Sequence, residues 1–101
     1  MKTTIEEKNG AVVASFEGRL DTAASVQTAK DIEPLNACNG QDIILDCTLL
    51  EYISSSGLRL FLTVLKNAKA KGGKVFVKGL NNELKSVFAM TGFINLFEFK
   101  E

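Results

Sequence analysis

Apolar and polar positions change period several times along this chain, and each change marks an element. Residues 11–17 alternate, with Val12, Ala14 and Phe16 on one side and Val13, Ser15 and Glu17 on the other, which predicts a strand. Residues 3–8 ahead of it carry Thr3, Thr4, Glu6, Glu7 and Lys8, a pattern suited to an exposed edge strand that must not aggregate. Asn9-Gly10 between them is the leading two-residue hairpin signal, because both central residues must accept positive φ. Gly18-Arg19-Leu20-Asp21 ends the second strand, and Asp21 is placed to cap a helix whose inner face is Ala23, Val26, Ala29 and Ile32. Pro34 lacks a donor and disfavours helical geometry at Glu33, so this helix stops or kinks near residues 31–33, with a further turn over 34–37. Asn39-Gly40 then breaks the chain before the strand at 42–47, which is apolar on both faces and predicts a fully buried central strand.

The stretch 43–65 organises the rest. After the strand, apolar residues recur at 58, 61, 62 and 65, the spacing of one helix face. That helix runs to about Ala70, where Gly72-Gly73 stops it. Residues 74–78 follow as a strand centred on Val75, Phe76 and Val77. Asn81 or Asn82 caps a third helix with Leu84, Val87 and Phe88 inward, Thr91-Gly92 ends it, and residues 96–99 form a last strand. The predicted class is α/β: a single domain over 1–101 in the order ββαβαβαβ, with three main helices on a mixed, mostly parallel sheet of about five strands and an N-terminal hairpin. Sites in such sheets lie at the carboxyl ends of the strands, so Asp21, residues 54–56 and residues 79–81 are expected to share one rim.

Composition narrows the chemistry. A chain of 101 residues, 46% hydrophobic and 24% charged, is globular rather than disordered and buries somewhat over ~60% of its unfolded surface without staples. Twelve basic residues balance twelve acidic ones, so no net charge draws it to nucleic acid or an anionic membrane. Lys66, Lys69, Lys71, Lys74 and Lys78 read as a solvated helix end and strand edge. The absence of histidine excludes Ser–His nucleophilic catalysis, His-ligated zinc and imidazole base chemistry within the chain. Cys38 and Cys47 lack metal-ligand spacing, and Cys47 sits in the buried strand as a small hydrophobe. Neither a membrane-length apolar stretch nor a leader is visible, and a reduced, cytoplasmic protein is expected. No Gly-x-Ser-x-Gly elbow, Ser-x-x-Lys pair or Gly-x-x-x-x-Gly-Lys loop occurs; Arg59 follows the serines where a lysine would be needed. The expectation is a protein that is not an enzyme and needs no metal or cofactor.

What remains is the triplet Ser54, Ser55, Ser56, followed by Gly57, at the start of the second helix. One serine suffices to cap a helix. The others place spare hydroxyls at its positive end, a natural seat for a phosphate. Capping alone is the plain reading of the triplet and of Asp21.

Gly18-Arg19-Leu20-Asp21, the strand over 43–46, the loop Tyr52-Ile53-Ser54-Ser55-Ser56-Gly57-Leu58 and the segment Phe88-Ala89-Met90-Thr91-Gly92-Phe93 resemble the anti-sigma factor antagonists, members of the STAS (sulfate transporter and anti-sigma antagonist) domain family. The resemblance spans nearly the whole chain. It implies a phosphoacceptor at Ser55, with Ser56 and Ser54 as alternatives. It implies a partner surface of Asp21, Ser54, Ser55, Ser56, Gly57 and Arg59. The implied partners are an anti-sigma factor of the serine-kinase type, which the unphosphorylated form binds to release a sigma factor, and a phosphatase. ATP and magnesium would belong to the kinase. Two departures stand out: Ser54 replaces the family's aspartate, and the chain stops at Glu101, where many relatives add a C-terminal helix that would cover more of the sheet. The Ser54 change keeps a second reading open, an unphosphorylated STAS accessory or scaffold domain binding a transporter subunit or signalling complex by shape. Monomer and weak dimer are both compatible with the sequence.

Overall fold

The computed structural model describes residues 1–37 and 40–100. Cys38, and the Asn39 half of the expected break before the central strand, lie outside the described residues. The hairpin forms as its turn dictates: β1 (Lys2–Lys8) pairs antiparallel with β2 (Ala11–Leu20), and Asn9 and Gly10 turn at φ of +52° and +80°. There follow α1 (Thr22–Asp31), a single turn α2 (Glu33–Asn36), β3 (Ile43–Ile53), α3 (Ser55–Ala70), β4 (Val75–Lys78), α4 (Asn82–Met90), a 3₁₀ turn (Phe93–Asn95) and β5 (Glu98–Lys100). Pro34 sits in the first turn of α2, where its missing donor costs nothing.

The strands lie side by side in chain order, β1-β2-β3-β4-β5, parallel from β2 onward. Each crossover therefore steps one strand in the same direction. Right-handed crossovers of that kind put every helix on the same side of the sheet. Burial agrees: Val12, Ala14, Phe16, Ile43, Leu45, Val75 and Val77 face the core, while their neighbours Val13, Ser15, Ile44, Asp46, Phe76 and Lys78 point to an uncovered face. The expectation of a strand buried on both sides is thus corrected for β3. Its apolar outward residues reflect a half-covered sheet, and the strand extends well beyond 47, to Ile53.

The core is a row of phenylalanines beneath the helices. Phe16 of β2 meets Phe61 of α3 at 5.2 Å between ring centres, Phe61 meets Phe88 of α4 at 6.3 Å, and Phe88 meets Phe97 at 6.1 Å. Such tilted and edge-on contacts add about 0.5–1.5 kcal/mol each beyond burial. The inner face of α3 is Gly57, Leu58, Phe61, Val64, Leu65 and Ala68, with Leu62 half-buried. The inner face expected for α1 is corrected. Ser25, Thr28 and Ile32 are buried, whereas Ala23 is exposed and Val26 is 67% exposed. Both stripes have helical spacing. The helix lies between β2 and α3; Ile32 belongs to both stripes and is buried, while Ser25, its hydroxyl donating to the Asp21 carbonyl at 2.8 Å, and Thr28 fill the contact in place of Ala23 and Val26. β5 starts two residues later than the expected 96–99, because Leu96 still closes the 3₁₀ turn with its amide donating to the Phe93 carbonyl at 3.0 Å, and Phe99 remains 42% exposed at that edge.

Candidate functional site

At the carboxyl end of β2, Asp21 accepts a hydrogen bond from the Ala24 amide at 2.8 Å and caps α1. Beside it, β3 ends with Ile53 in register with Leu20, and the Ser54 amide donates to the Leu20 carbonyl at 2.8 Å. These bonds hold the two strand-to-helix junctions together. The expected third member of the rim is set back. β4 stops at Lys78, opposite Asp46, and Gly79 packs on Thr48, well before β3 reaches the serines. Asn81 caps α4 there by accepting from the Leu84 amide at 2.8 Å.

The three serines are not equivalent. Ser54 is the cap: it is 8% exposed, its hydroxyl accepts from the Gly57 amide at 3.2 Å, and its carbonyl takes the Leu58 amide at 2.9 Å. Ser55 is the first residue of α3 and is exposed; Ser56 is half-buried. The amides of Ser55 and Ser56 belong to the first helical turn, which has no intrahelical acceptor for them. Arg59 is exposed one turn further on, at the i+4 position from Ser55, where side chains share a helix face. Gly57 is buried, and a Cβ there would lie 2.8 Å from both Ile53 Cγ1 and Leu20 Cγ. Its part is to let α3 close onto the strand ends rather than to present a side chain.

Two features next to this rim lack a local sequence signal. Arg19 and Tyr52 are cross-strand partners, with the Arg19 guanidinium 4.5 Å from the Tyr52 ring centre, a cation–π contact. On the uncovered face, a groove of about 440 Å³ is lined by residues that include Ser15, Glu17, Asp46, Thr48, Leu49 and Lys78. Within it, Asp46 accepts from the Thr48 amide at 3.0 Å and hydroxyl at 2.6 Å, with Lys78 Nζ at 4.0 Å. Partial burial pushes the Asp46 carboxyl up, but the Thr48 donors and the Lys78 and Lys8 ammoniums together outweigh it and hold the pKa below its ordinary value. Cys47, next along β3, is fully buried, and burial pushes its thiol far up, so it is an inert packing residue. Among the described residues no group of three or more Cys, Asp or Glu side chains could hold a metal ion, and no helix is long and apolar enough to cross a membrane.

Comparison with known proteins places this geometry. A Bordetella bronchiseptica protein named "Putative anti-sigma factor antagonist BtrV" is 29% identical over 97 residues, covering 96% of this chain and 84% of the relative. An anti-sigma-factor antagonist (STAS) domain protein from Planctomyces limnophilus superposes with a TM-score of 0.89 at 16% identity, over 98% of this chain and 88% of that one. The Bacillus cell fate determinant SpoIIAA in its phosphorylated form superposes with a TM-score of 0.73 at 22% identity, over 99% and 92%. At those identities the two structures show a shared fold. The STAS domain model matches residues 2–101, nearly all of the sequence, and the chain belongs to the STAS domain family.

Proposed function

We propose that this protein is an anti-sigma factor antagonist switched by phosphorylation of Ser55. Unphosphorylated, it docks through the Asp21–Ser55–Arg59 rim on an anti-sigma factor of the serine-kinase type and frees a sigma factor. Phosphorylation ends the contact, and a phosphatase restores it. The protein is a substrate and a switch rather than an enzyme; ATP and magnesium belong to the kinase, and the exchange takes place in the cytoplasm. The observation that carries this reading is the division of labour among the serines. Ser54 is buried and committed to capping, so Ser55 can be modified without removing the cap.

A phosphate adds about −1.5 to −2 charge and three strong acceptors. At the first turn of α3 it meets the positive helix end, worth about 0.3–1 kcal/mol in favour of the fold. Between docked proteins the same dianion must be desolvated, which costs several kcal/mol. The desolvation cost outweighs the helix-end gain and falls on the interface, so binding is lost while the domain stays folded. Ser54 in place of the family's aspartate favours one competing reading, an accessory domain that binds a transporter subunit or signalling complex by shape without modification. Incubation with the cognate kinase and ATP, followed by peptide mass mapping, separates the two. Addition of one phosphate at Ser55 is expected; no mass gain, or a gain outside residues 54–56, refutes the switch.

A further inference from the structure

The half of β3 nearest the serines carries an arrangement that neither the core nor the cap uses. Its pairing with β2 slips twice, between Ser15 and Glu17 and between Gly18 and Arg19, each time with an extra residue in β3. A regular strand entering at Ile43 would turn Leu49 and Glu51 inward. The first bulge instead sends Leu50 to the core and turns Leu49 out, and the second restores the alternation, so that Ile53 faces in and Tyr52 out; Leu49 and Tyr52 are 61% and 41% exposed. Bulges re-aim side chains in this way, and they are over-represented beside functional sites. Leu49 stands opposite Glu17 on the groove, and Tyr52 stands opposite Arg19, whose guanidinium stacks on its ring and makes no ion pair among the described residues. Ser54 is two residues beyond Tyr52 and is bonded to Leu20, the neighbour of Arg19. The strip therefore ends at the same pair of strand-to-helix junctions that carries Ser55.

We propose that Leu49, Tyr52 and Arg19 form a second contact patch for the same partner whose docking Ser55 controls, an inference that rests on the function proposed above. The surface it fits is a folded protein face that sets apolar side chains against Leu49 and Tyr52 and a carboxylate against the Arg19 guanidinium. Tyr and Arg are the side chains that most often dominate binding energy at interfaces. Here they are stacked before any partner arrives, so docking immobilises little that was free. The patch supplies affinity, and Ser55 supplies the veto.

The test uses the intact protein and the purified serine-kinase anti-sigma factor of the same organism. Affinity is measured by titration calorimetry for wild type, Leu49→Ser, Tyr52→Ala, Arg19→Gln and Ser55→Asp, with a thermal melt of each and sedimentation of the antagonist alone. Leu49→Ser and Tyr52→Ala are expected to weaken binding by about tenfold or more while melting like the parent. Wild-type affinity in both, with binding lost in Ser55→Asp, overturns the patch and leaves the switch intact. Wild-type affinity in Ser55→Asp removes the switch, and with it the partner assigned to the patch. Loss of self-association in the Leu49 and Tyr52 variants, with binding to the anti-sigma factor unchanged, gives the strip to a second copy of this chain and likewise overturns the proposal.

Discussion

Replacing Ser54 and Ser55 separately by alanine distinguishes the cap from the acceptor. Ser54→Ala removes the oxygen that accepts from the Gly57 amide and leaves that amide in a buried helix start. Loss of a serine cap costs about 1 kcal/mol, within a span of roughly 0.5–2. For a domain of this length each kcal/mol lowers the melting temperature by about 4–8 °C. Ser55→Ala alters an exposed hydroxyl that makes no hydrogen bond among the described residues, and surface changes of that kind stay within about 0.5 kcal/mol. Ser54→Asp keeps an acceptor and adds a charge that suits the helix end, so most of the lost stability returns. Thermal and urea melts of the three variants provide the measurement, and phosphate incorporation by the kinase provides a second axis. Ser54→Ala should melt lowest yet still accept phosphate, whereas Ser55→Ala should melt like wild type and accept none. The reasoning fails if Ser55→Ala is the less stable of the two alanine variants, or if removing Ser54 leaves stability untouched.

Other expectations follow from the same geometry. Gly57→Ala gains up to about 1 kcal/mol of helix propensity but forces a Cβ into Ile53 and Leu20, an overpacking that costs about 1–3 kcal/mol; urea unfolding should show a net loss. Protein phosphorylated at Ser55 should melt no lower than the unmodified form, and Arg59→Ala should remove about 0.2–0.5 kcal/mol from the phosphorylated form only, as seen by circular dichroism. A lower melting point on phosphorylation would contradict the placement at the helix start. Because folding lowers the Asp46 pKa, this group contributes stability that is complete above its ordinary value near 3.8 and disappears as pH falls through the lower folded value. Asp46→Asn should therefore be less stable at neutral pH yet lose less stability between about pH 5 and 2.5, which denaturant melts across that range will read.

The elements that depend on neighbours in sequence were legible. Asn9-Gly10 specified its turn, the serine triplet and the Asn81-Asn82 pair the starts of α3 and α4, and the spacing of Leu58, Phe61 and Leu65 the face of α3. What could not be read depends on neighbours in space. Ile44 and Phe76 are as apolar as buried strand residues, and only the strand order reveals that no helix among the described residues lies over them. The stripe 23, 26, 29 and the stripe 25, 28 of α1 are equally periodic, and packing between β2 and α3 chose the polar one. The two bulges in β3 leave no mark in the residues 46–53 themselves, so the outward turn of Leu49, the inward turn of Leu50 and the meeting of Tyr52 with Arg19 appear only with the pairing to β2. At the site, the serine motif pointed to Ser55, but burial was needed to assign Ser54 to the cap.

The antiparallel first strand has a practical corollary for anyone handling the protein. Lys2 pairs with Glu17, and a Cβ on Gly18 would lie 3.5 Å from the Met1 backbone, so the amino terminus emerges at the same end of the sheet as Asp21 and Ser55. Lys100, by contrast, pairs with Lys78 on the far edge. An affinity tag or fluorophore fused ahead of Met1 would crowd the proposed docking rim and be read as a loss of function, whereas one attached through the β5 side lies on the opposite edge of the sheet.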